Sequence, residues 1–558
     1  MGTIEDQKIR AHITENADNS INHQKQDVLN DYRLACESRQ ASLLGRREVL
    51  TGKAKFGIFG DGKELPQLAM AKVFNEGDWR SGYYRDQTFM LASGMMSLEQ
   101  FFSQLYGDTD LEANPANGGR MMNNHFATRT LDENGEWKNL TSTKNSSADI
   151  SPTAGQMPRL LGLALASKIY RNLPNQKDFK KFSKQGNEVA FGTIGDASTS
   201  EGHFFETINA AGVLKVPMAI SIWDDGYGIS VPKSLQTTKG DISEVLKGFE
   251  LDENNSGYLI FKAKGWDYPG LIETYHKGIK ACREKHIPVI FHITELTQPQ
   301  GHSTSGSHER YKSPERLDWE RDYDGILKFR EWILQMGFAT TEELEIIENE
   351  SIERVRLARK TAWDHFQAPI KQKRKELIEL VNISRCKCQK SDKIDNLLQE
   401  MNRIGEPVYR DIISTAKKIL RLVCYNCDSE KQLKAELRQW LNKEMKSHEY
   451  RYNSHLYSQT SKAAIKVEEI KPVYENDSPM VNGREILVSN YDYIFSHYPE
   501  AMIFGEDVGH IGGVNQTLEG LQTKFGDLRI SDTGIREATI IGQGIGLAMR
   551  GLRPIAEI

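Results

Sequence analysis

The sequence predicts an α/β protein built on doubly wound, mostly parallel sheets, and three observations carry that expectation. From about residue 50 to 370, apolar strand-like runs alternate with helical patterns, as in strands joined by crossover helices. Within that stretch the run Val189 to Gly195 ends in Asp196, and the run VPMAISIW (216–223) ends in Asp224 and Asp225. In a right-handed βαβ unit both ends arrive at the same sheet edge, where ligands bind. After the polar stretch YENDSP (474–479) the same pattern resumes in AMIFGEDVG and in DLRISDTGIREATIIGQGIGLAMRGLRPIAEI.

Each part can be justified in order. Residues 1 to about 45 are polar with helical periodicity and read as an arm that packs on a partner. STSEGHFFETINAAGVLKV (198–216) reads as the crossover helix, with Ser198 and Glu201 in capping-box register. Residues 371–470 change character. They open on the basic run KQKRKEL and continue with Ile394, Leu397, Leu398, Met401 and Ile404 at helical spacing. The basic run fits either a docking patch for an acidic partner or a solvated helix face. The expected division is therefore residues 1–370, a helical connector 371–470, and a second α/β region 471–558. That last region reads strand, loop, helix, strand, which leaves an uncovered apolar edge, so it is expected to be the start of a domain.

Composition narrows the function. The 558 residues carry a formal net charge of −5, so neither a nucleic-acid nor a membrane partner is implied. No run of 18 apolar residues occurs and the start is polar, so a cytoplasmic protein without a membrane span is expected. Six cysteines in this length do not suggest a disulfide framework. Two close pairs, Cys386 with Cys388 and Cys424 with Cys427, leave open a zinc site or free, partly buried thiols. At the sheet edge, Asp196 and Asp225 are hard oxygen ligands of the kind magnesium takes beside phosphate.

The flanking segments add a resemblance. GYYRD (82–86), GGRMMNNHF (118–126), SPTAGQMPRLLGLALA (151–166), GDASTSEGHFFETINAAGVLKVP (195–217), DDGYGIS (224–230) and GHSTSGSHERYKS (301–313) follow one order. Together they resemble the α subunit of thiamine-diphosphate-dependent 2-oxo acid dehydrogenases, the decarboxylating component of the pyruvate and branched-chain complexes. VNGREILVSNYDYIF, GEDVGHIGGV, LEGLQTKFG and the last 27 residues resemble the start of the β subunit. The chain thus looks like an α–β fusion with an incomplete β half, and the implied fold is transketolase-like.

The resemblance implies specific roles. Thiamine diphosphate and Mg2+ are the implied cofactors, the metal bound by Asp196, Asp225 and the carbonyl of Tyr227. Gly195 and Ala197 flank the first ligand. Tyr84 and Arg85 match diphosphate-contacting positions, and Ser151 and Thr153 match the loop that lines the cofactor rings. Glu537, with Ile535 beside it, matches the carboxylic acid that faces the pyrimidine nitrogen. His302, in a hydroxyl-rich loop, matches a substrate- and lipoyl-facing residue, and His125 a further active-site position. Ser303 stands where some relatives are phosphorylated. The implied partners are a 2-oxo acid and a lipoyl-bearing acyltransferase. The site lies between α-type and β-type domains, so Glu537 is expected to come from another protomer of a dimer or higher oligomer.

The chain also departs from the pattern. Ala197 stands for the usual Gly, Asp224-Asp225 for the usual Asn pair, Trp223 for an Arg of branched-chain relatives, and Gly155 for a hydroxyl residue of a potassium loop. The expected activity is oxidative decarboxylation of a 2-oxoisovalerate-type acid, with pyruvate second. A non-catalytic, cofactor-deficient assembly subunit is the alternative of another class.

Overall fold

In the computed structural model, residues 4–173, 179–254, 256–384, 390–423, 428–454 and 456–558 are described. The first half contains β1 (Trp79–Ser81), β2 (Asn145–Ser146), β3 (Ala190–Gly195), β4 (Met218–Trp223), the hairpin β5 (Tyr227–Gly228) and β6 (Val231–Pro232), β7 (Leu259–Lys264) and β8 (Val289–Thr294). Six of these form one parallel sheet in the order β2-β1-β3-β4-β8-β7. β3, β4 and β8 are almost wholly buried. Helices on both faces explain why they read as continuous apolar runs rather than alternating ones. Gly195 pairs with Trp223, so the carboxyl ends of β3 and β4 are flush. Asp196 and the Asp224-Asp225 pair therefore leave the sheet side by side.

The crossover differs from the expected capped helix. Asp196–Ser200 forms a 3-10 turn in which the Thr199 hydroxyl donates to the Asp196 carbonyl at 2.6 Å. Glu201 is extended (φ −74, ψ 143), and the helix Gly202–Leu214 starts after it without a side-chain cap. The tight turn after the strand takes the residues that capping-box spacing assigned to a helix start.

The N-terminal expectation is corrected for its second half, from Val28 onward. A single helix spans Ile4–Leu50, and from Val28 onward much of its surface is buried within its own unit rather than left for a partner. Tyr268 donates to Asp31 at 2.5 Å, and Arg39 pairs with Glu64 and Asp324, each at 2.7 Å.

The last region forms a second parallel sheet, β9 (Ala501–Gly505), β10 (Ile530–Asp532) and β11 (Arg553–Glu557), in the order β10-β9-β11. Its helix Glu537–Met549 packs along the helix Met157–Asn172 of the first half. Met502, Phe504, Ile540 and Leu547 share one apolar core with Leu160, Leu161 and Ile220. Glycine makes this crossing possible. A Cβ on Gly162 would lie 2.1 Å from the Gln543 carbonyl oxygen, and one on Gly542 would lie 2.1 Å from Pro158 Cβ. At the end of the crossing the buried Arg550 guanidinium meets Glu188 at 2.8 Å, the Leu163 carbonyl at 3.0 Å and Ser167 Oγ at 2.9 Å. A charge this deep is tolerable only when paired and hydrogen-bonded in this way.

By contact density the chain divides into two compact units. The first comprises residues 1–97, 123–355 and 469–558. The second comprises 98–122 and 356–468. Its helices Ser391–Arg403, Tyr409–Leu422 and Asp428–Asn453 enclose a core that includes Ile370, Leu377, Ile394, Leu398, Ile412 and Leu437. The basic run is partly committed inside this unit. Lys373 pairs with Glu376 and Glu444 at 2.8 and 2.9 Å, and Arg374 donates to the Ile404 carbonyl at 2.7 Å. Lys371 and Lys375 remain exposed, so a solvated face describes this run better than a uniform docking patch. The four cysteines of the zinc alternative lie outside the described residues, while Cys36 and Cys282 are buried thiols. Among the described residues no helix is long and apolar enough to cross a membrane.

Candidate cofactor site

The two flush strand ends open onto a cavity of about 410 Å3. Tyr84, Arg85, Ser151, Thr153, Gly195, Asp196, Ala197, Asp225, Tyr227 and His302 all line it. These residues come from five separate stretches of the first unit, and the sheet register gathers them. His125 is fully buried behind Ser151: its Nδ1 faces the Asn123 carbonyl at 3.1 Å, so that nitrogen carries the hydrogen. Its Nε2 is hydrogen-bonded to the Ser151 hydroxyl at 3.0 Å. Glu537 and Ile535 do not line the cavity. Both are exposed, Ile535 at 81%.

Three residues of the cavity wall keep a buried polar atom without a protein partner: Asp196 Oδ2, Trp223 Nε1 and Gln298 Nε2. One is an acceptor suited to a cation, and two are donors suited to an anion. Burial, together with the neighbouring Asp225 and Asp224, pushes the Asp196 carboxyl well above the usual range. A carboxylate in that position gains most from a bound cation. No cluster of three or more His, Cys, Asp or Glu side chains at metal-holding spacing occurs among the described residues. Two carboxylates and a backbone carbonyl, with phosphate oxygens and water completing the shell, are nevertheless what magnesium commonly accepts.

The paired aspartates do not leave excess negative charge. Lys63, itself buried, donates to Asp225 Oδ2 at 2.8 Å, to Gln298 Oε1 at 2.5 Å and to the Thr297 carbonyl at 3.0 Å. Burial alone would raise the Asp225 carboxyl, but Lys63, Arg85 and Lys312 outweigh it and hold it below the usual range. Asp224 turns elsewhere. It accepts from Lys233 at 2.8 Å and from His292 Nε2 at 3.1 Å, and these two outweigh burial to lower its carboxyl as well. Each aspartate of the pair thus has its own lysine.

The Ala197 methyl is also accommodated. A Cβ on Gly228, on the facing hairpin, would approach the Ala197 Cβ to 2.8 Å. The absence of a side chain at 228 makes the room that the methyl at 197 uses.

Arg85 pins the loop that carries His302. Its Nη1 donates to the Phe59 carbonyl at 2.6 Å and its Nη2 to the His302 carbonyl at 3.0 Å, with the guanidinium over the Tyr84 ring at 5.3 Å. Thr304 exchanges two hydrogen bonds with Gly57, at 3.0 and 3.2 Å, and Arg46 donates to the Ser303 carbonyl at 3.0 Å. Ser303 is buried, with its hydroxyl against Ser305 at 2.8 Å. Burial, then Arg85 and Lys63, lower the His302 imidazole to about 4, so it is neutral at pH 7 and able to accept a proton or a hydrogen bond.

Sequence reasoning missed Lys63, Gln298 and the donor role open to Trp223. Lys63 had a visible signal, a lone cation among the apolar residues of GIFGDGKELPQLAMA, where an unpaired lysine is rarely buried.

Comparisons with known proteins agree with this geometry. Residues 39–371 match the family described as "Dehydrogenase E1 component". Residues 480–558 match "Transketolase, pyrimidine binding domain". The chain is 27% identical over 305 residues to the 2-oxoisovalerate dehydrogenase subunit alpha of Bacillus subtilis (strain 168), covering 52% of this chain and 77% of that one. It is 26% identical over 322 residues to the mitochondrial 2-oxoisovalerate dehydrogenase subunit alpha 2 of Arabidopsis thaliana, covering 57% and 60%. Its last part is 57% identical over 60 residues to the pyruvate dehydrogenase E1 component subunit beta of Leifsonia xyli subsp. xyli (strain CTCB07), which is 11% of this chain and 18% of that one. The chain therefore spans most of an α-type relative but less than a fifth of a β-type relative. The fold is α/β and transketolase-like, and with more than half of its length matched the chain belongs to the dehydrogenase E1 component family.

Proposed function

We propose that this chain binds thiamine diphosphate with Mg2+ and catalyses oxidative decarboxylation of a 2-oxo acid, passing the acyl group to a lipoyl-bearing acyltransferase. The observation that carries this reading is the unpartnered Asp196 Oδ2 just after β3, in a residue that lines one cavity together with Asp225 and with Trp223 and Gln298, each of which keeps an unpaired buried donor. When bound, the cofactor supplies a carbon nucleophile and stores the electron pair left as carbon dioxide departs.

The residues divide the remaining work. Asp196, Asp225 and the Tyr227 carbonyl would hold the metal. Trp223 and Gln298 offer N–H donors to anionic oxygens, in place of the arginine contact that Trp223 lacks. Ser151 and Thr153 line the cavity wall, and His125 orients the Ser151 hydroxyl. The neutral His302, on a loop fixed by Arg85, is suited to orient the substrate or to move a proton during acyl transfer. Glu537, exposed at the start of its helix, would supply the carboxylic acid for the cofactor of a second copy of the chain.

Branched-chain 2-oxo acids are the proposed substrates. The cavity and its His302 loop lie in the half whose relatives above are named for 2-oxoisovalerate, whereas the matching β-type relatives are named for pyruvate. Isothermal titration of the full-length chain with thiamine diphosphate, with and without Mg2+, tests the reading. Magnesium-dependent binding is expected. No binding at millimolar cofactor would overturn the reading in favour of a non-catalytic assembly subunit. Comparing carbon dioxide release from 2-oxoisovalerate and pyruvate decides the substrate, with the branched acid expected to have the higher kcat/KM.

A further inference from the structure

A buried lysine is an unexpected residue directly behind the wall of a cation site, against Asp225 and Gln298. Lys63 is 1% exposed, and its three acceptors, Asp225 Oδ2, Gln298 Oε1 and the Thr297 carbonyl, match the three hydrogens of an ammonium. None is left over for a ligand, so Lys63 acts on the cavity through its neighbours.

Each neighbour is changed by the contact. Asp225 has Oδ2 on Lys63 and Oδ1 accepting from the Tyr227 N–H at 3.2 Å, which fixes the plane of its carboxylate. Each oxygen keeps a lone pair for a cation. Gln298 is 4% exposed, and a carboxamide whose oxygen faces an ammonium can offer only its nitrogen elsewhere. That nitrogen is the buried, unpartnered Nε2 of a residue that lines the cavity. One ammonium thus governs an acceptor for a cation and a donor for an anion.

We infer that Lys63 is a positioning residue for a metal–diphosphate ligand, setting the Asp225 carboxylate toward the cation and the Gln298 carboxamide toward the anion. This inference rests on the thiamine diphosphate reading above. It also explains how Asp225 can stand where the resemblance pattern has Asn: the charged Lys63–Asp225 pair replaces a neutral arrangement, and either residue changed alone leaves the other buried without its counter-charge.

The test is calorimetric titration of the full-length native chain, Lys63→Gln and Lys63→Gln/Asp225→Asn with thiamine diphosphate in saturating Mg2+, alongside thermal melting of each without ligand. Native binding comes first: its absence would sink the parent reading and not this inference specifically. Given native binding, Lys63→Gln is expected to weaken affinity by ~10-fold or more, the equivalent of at least one lost charged contact. The double variant, with a neutral amide pair, is expected to recover most of that loss. A Lys63→Gln protein that melts lower but binds with native affinity would reduce Lys63 to a packing role and overturn the inference. So would a double variant that folds and binds no better than the single one.

Discussion

Replacing Asp196 by Asn should stabilise the ligand-free protein while ending its capacity for the cofactor. The carboxylate is 5% exposed, one oxygen has no partner, and two other carboxylates stand nearby. An unsatisfied buried group of this kind costs on the order of 1–3 kcal/mol. Asn keeps the shape and removes the charge, though its amide is still desolvated, so a gain of ~1–2 kcal/mol is expected at mildly alkaline pH. Because the folded-state pKa is raised above the unfolded value of about 3.9, the native protein holds this proton more tightly than the unfolded chain. Native stability from this group therefore falls as pH rises above the unfolded value and through the folded one. The advantage of Asn should be small near pH 5 and larger near pH 8, raising the thermal midpoint by about 1 °C per kcal/mol in a unit as large as the one that holds Asp196.

Melting curves in a chelator at about pH 5 and about pH 8 measure the first effect. Adding Mg2+ and thiamine diphosphate measures the second, since a ligand that binds only the folded state raises its midpoint. The native chain should respond to the pair of ligands and the Asn variant should not. The reasoning is refuted if Asp196→Asn lowers the ligand-free midpoint at both pH values, or if the variant keeps the cofactor-induced rise.

Two further outcomes follow from packing and burial. Gly542→Ala places a methyl 2.1 Å from Pro158 Cβ and should cost at least ~1–3 kcal/mol in urea denaturation, with unaltered stability showing that the helix crossing is looser than described. The His286 imidazole is lowered to about 4, chiefly by burial, so its contribution is full above about pH 6.5 and is lost as pH falls toward 4. His286→Asn, which suits the left-handed conformation at φ 54, should flatten that part of the acid limb of a pH–stability curve.

What the sequence disclosed was what short-range pattern encodes. Strand runs β3 and β4 were legible as apolar segments, and the spacing of Asp196 and Asp225 was legible because parallel register makes their strand ends flush. The site residues of the first half that line the cavity were found through ordered motifs rather than through chemistry alone. Three features escaped, each for a physical reason. The 3-10 turn after Asp196 carries the residue types of a capping box, and backbone geometry, not composition, decides between them. The partners of Lys63 lie 162 and 235 positions away, so its burial signals only that some counter-charge exists. The Gly162–Gly542 crossing depends on two helices meeting across 380 residues, and a glycine in either helix alone reads merely as a weak position.

That crossing bears on where an active site can be completed. It seats the helix Glu537–Met549 on Met157–Asn172 of the same chain, and Thr539 adds a hydrogen bond to Glu206 at 2.5 Å. Glu537 is nevertheless exposed and does not line the cavity that holds Asp196. Ile541 and Ile545, four and eight residues on, share its helix face and are 47% and 49% exposed. An acidic group flanked by unburied apolar side chains suits a surface that a second copy covers. If Glu537 serves a neighbour, Asp196→Asn and Glu537→Gln fail in different halves of a shared site. Each homodimer should then be inactive. Random pairing of the two variants on co-expression makes half the dimers mixed, and each mixed dimer has one site with both defects and one with neither. About one quarter of native decarboxylation of 2-oxoisovalerate should return, as symmetric two-fold assembly requires. Service within one chain leaves every site with one defect and predicts no return at all, so an inactive mixture of two well-folded variants would place Glu537 outside the neighbour's site.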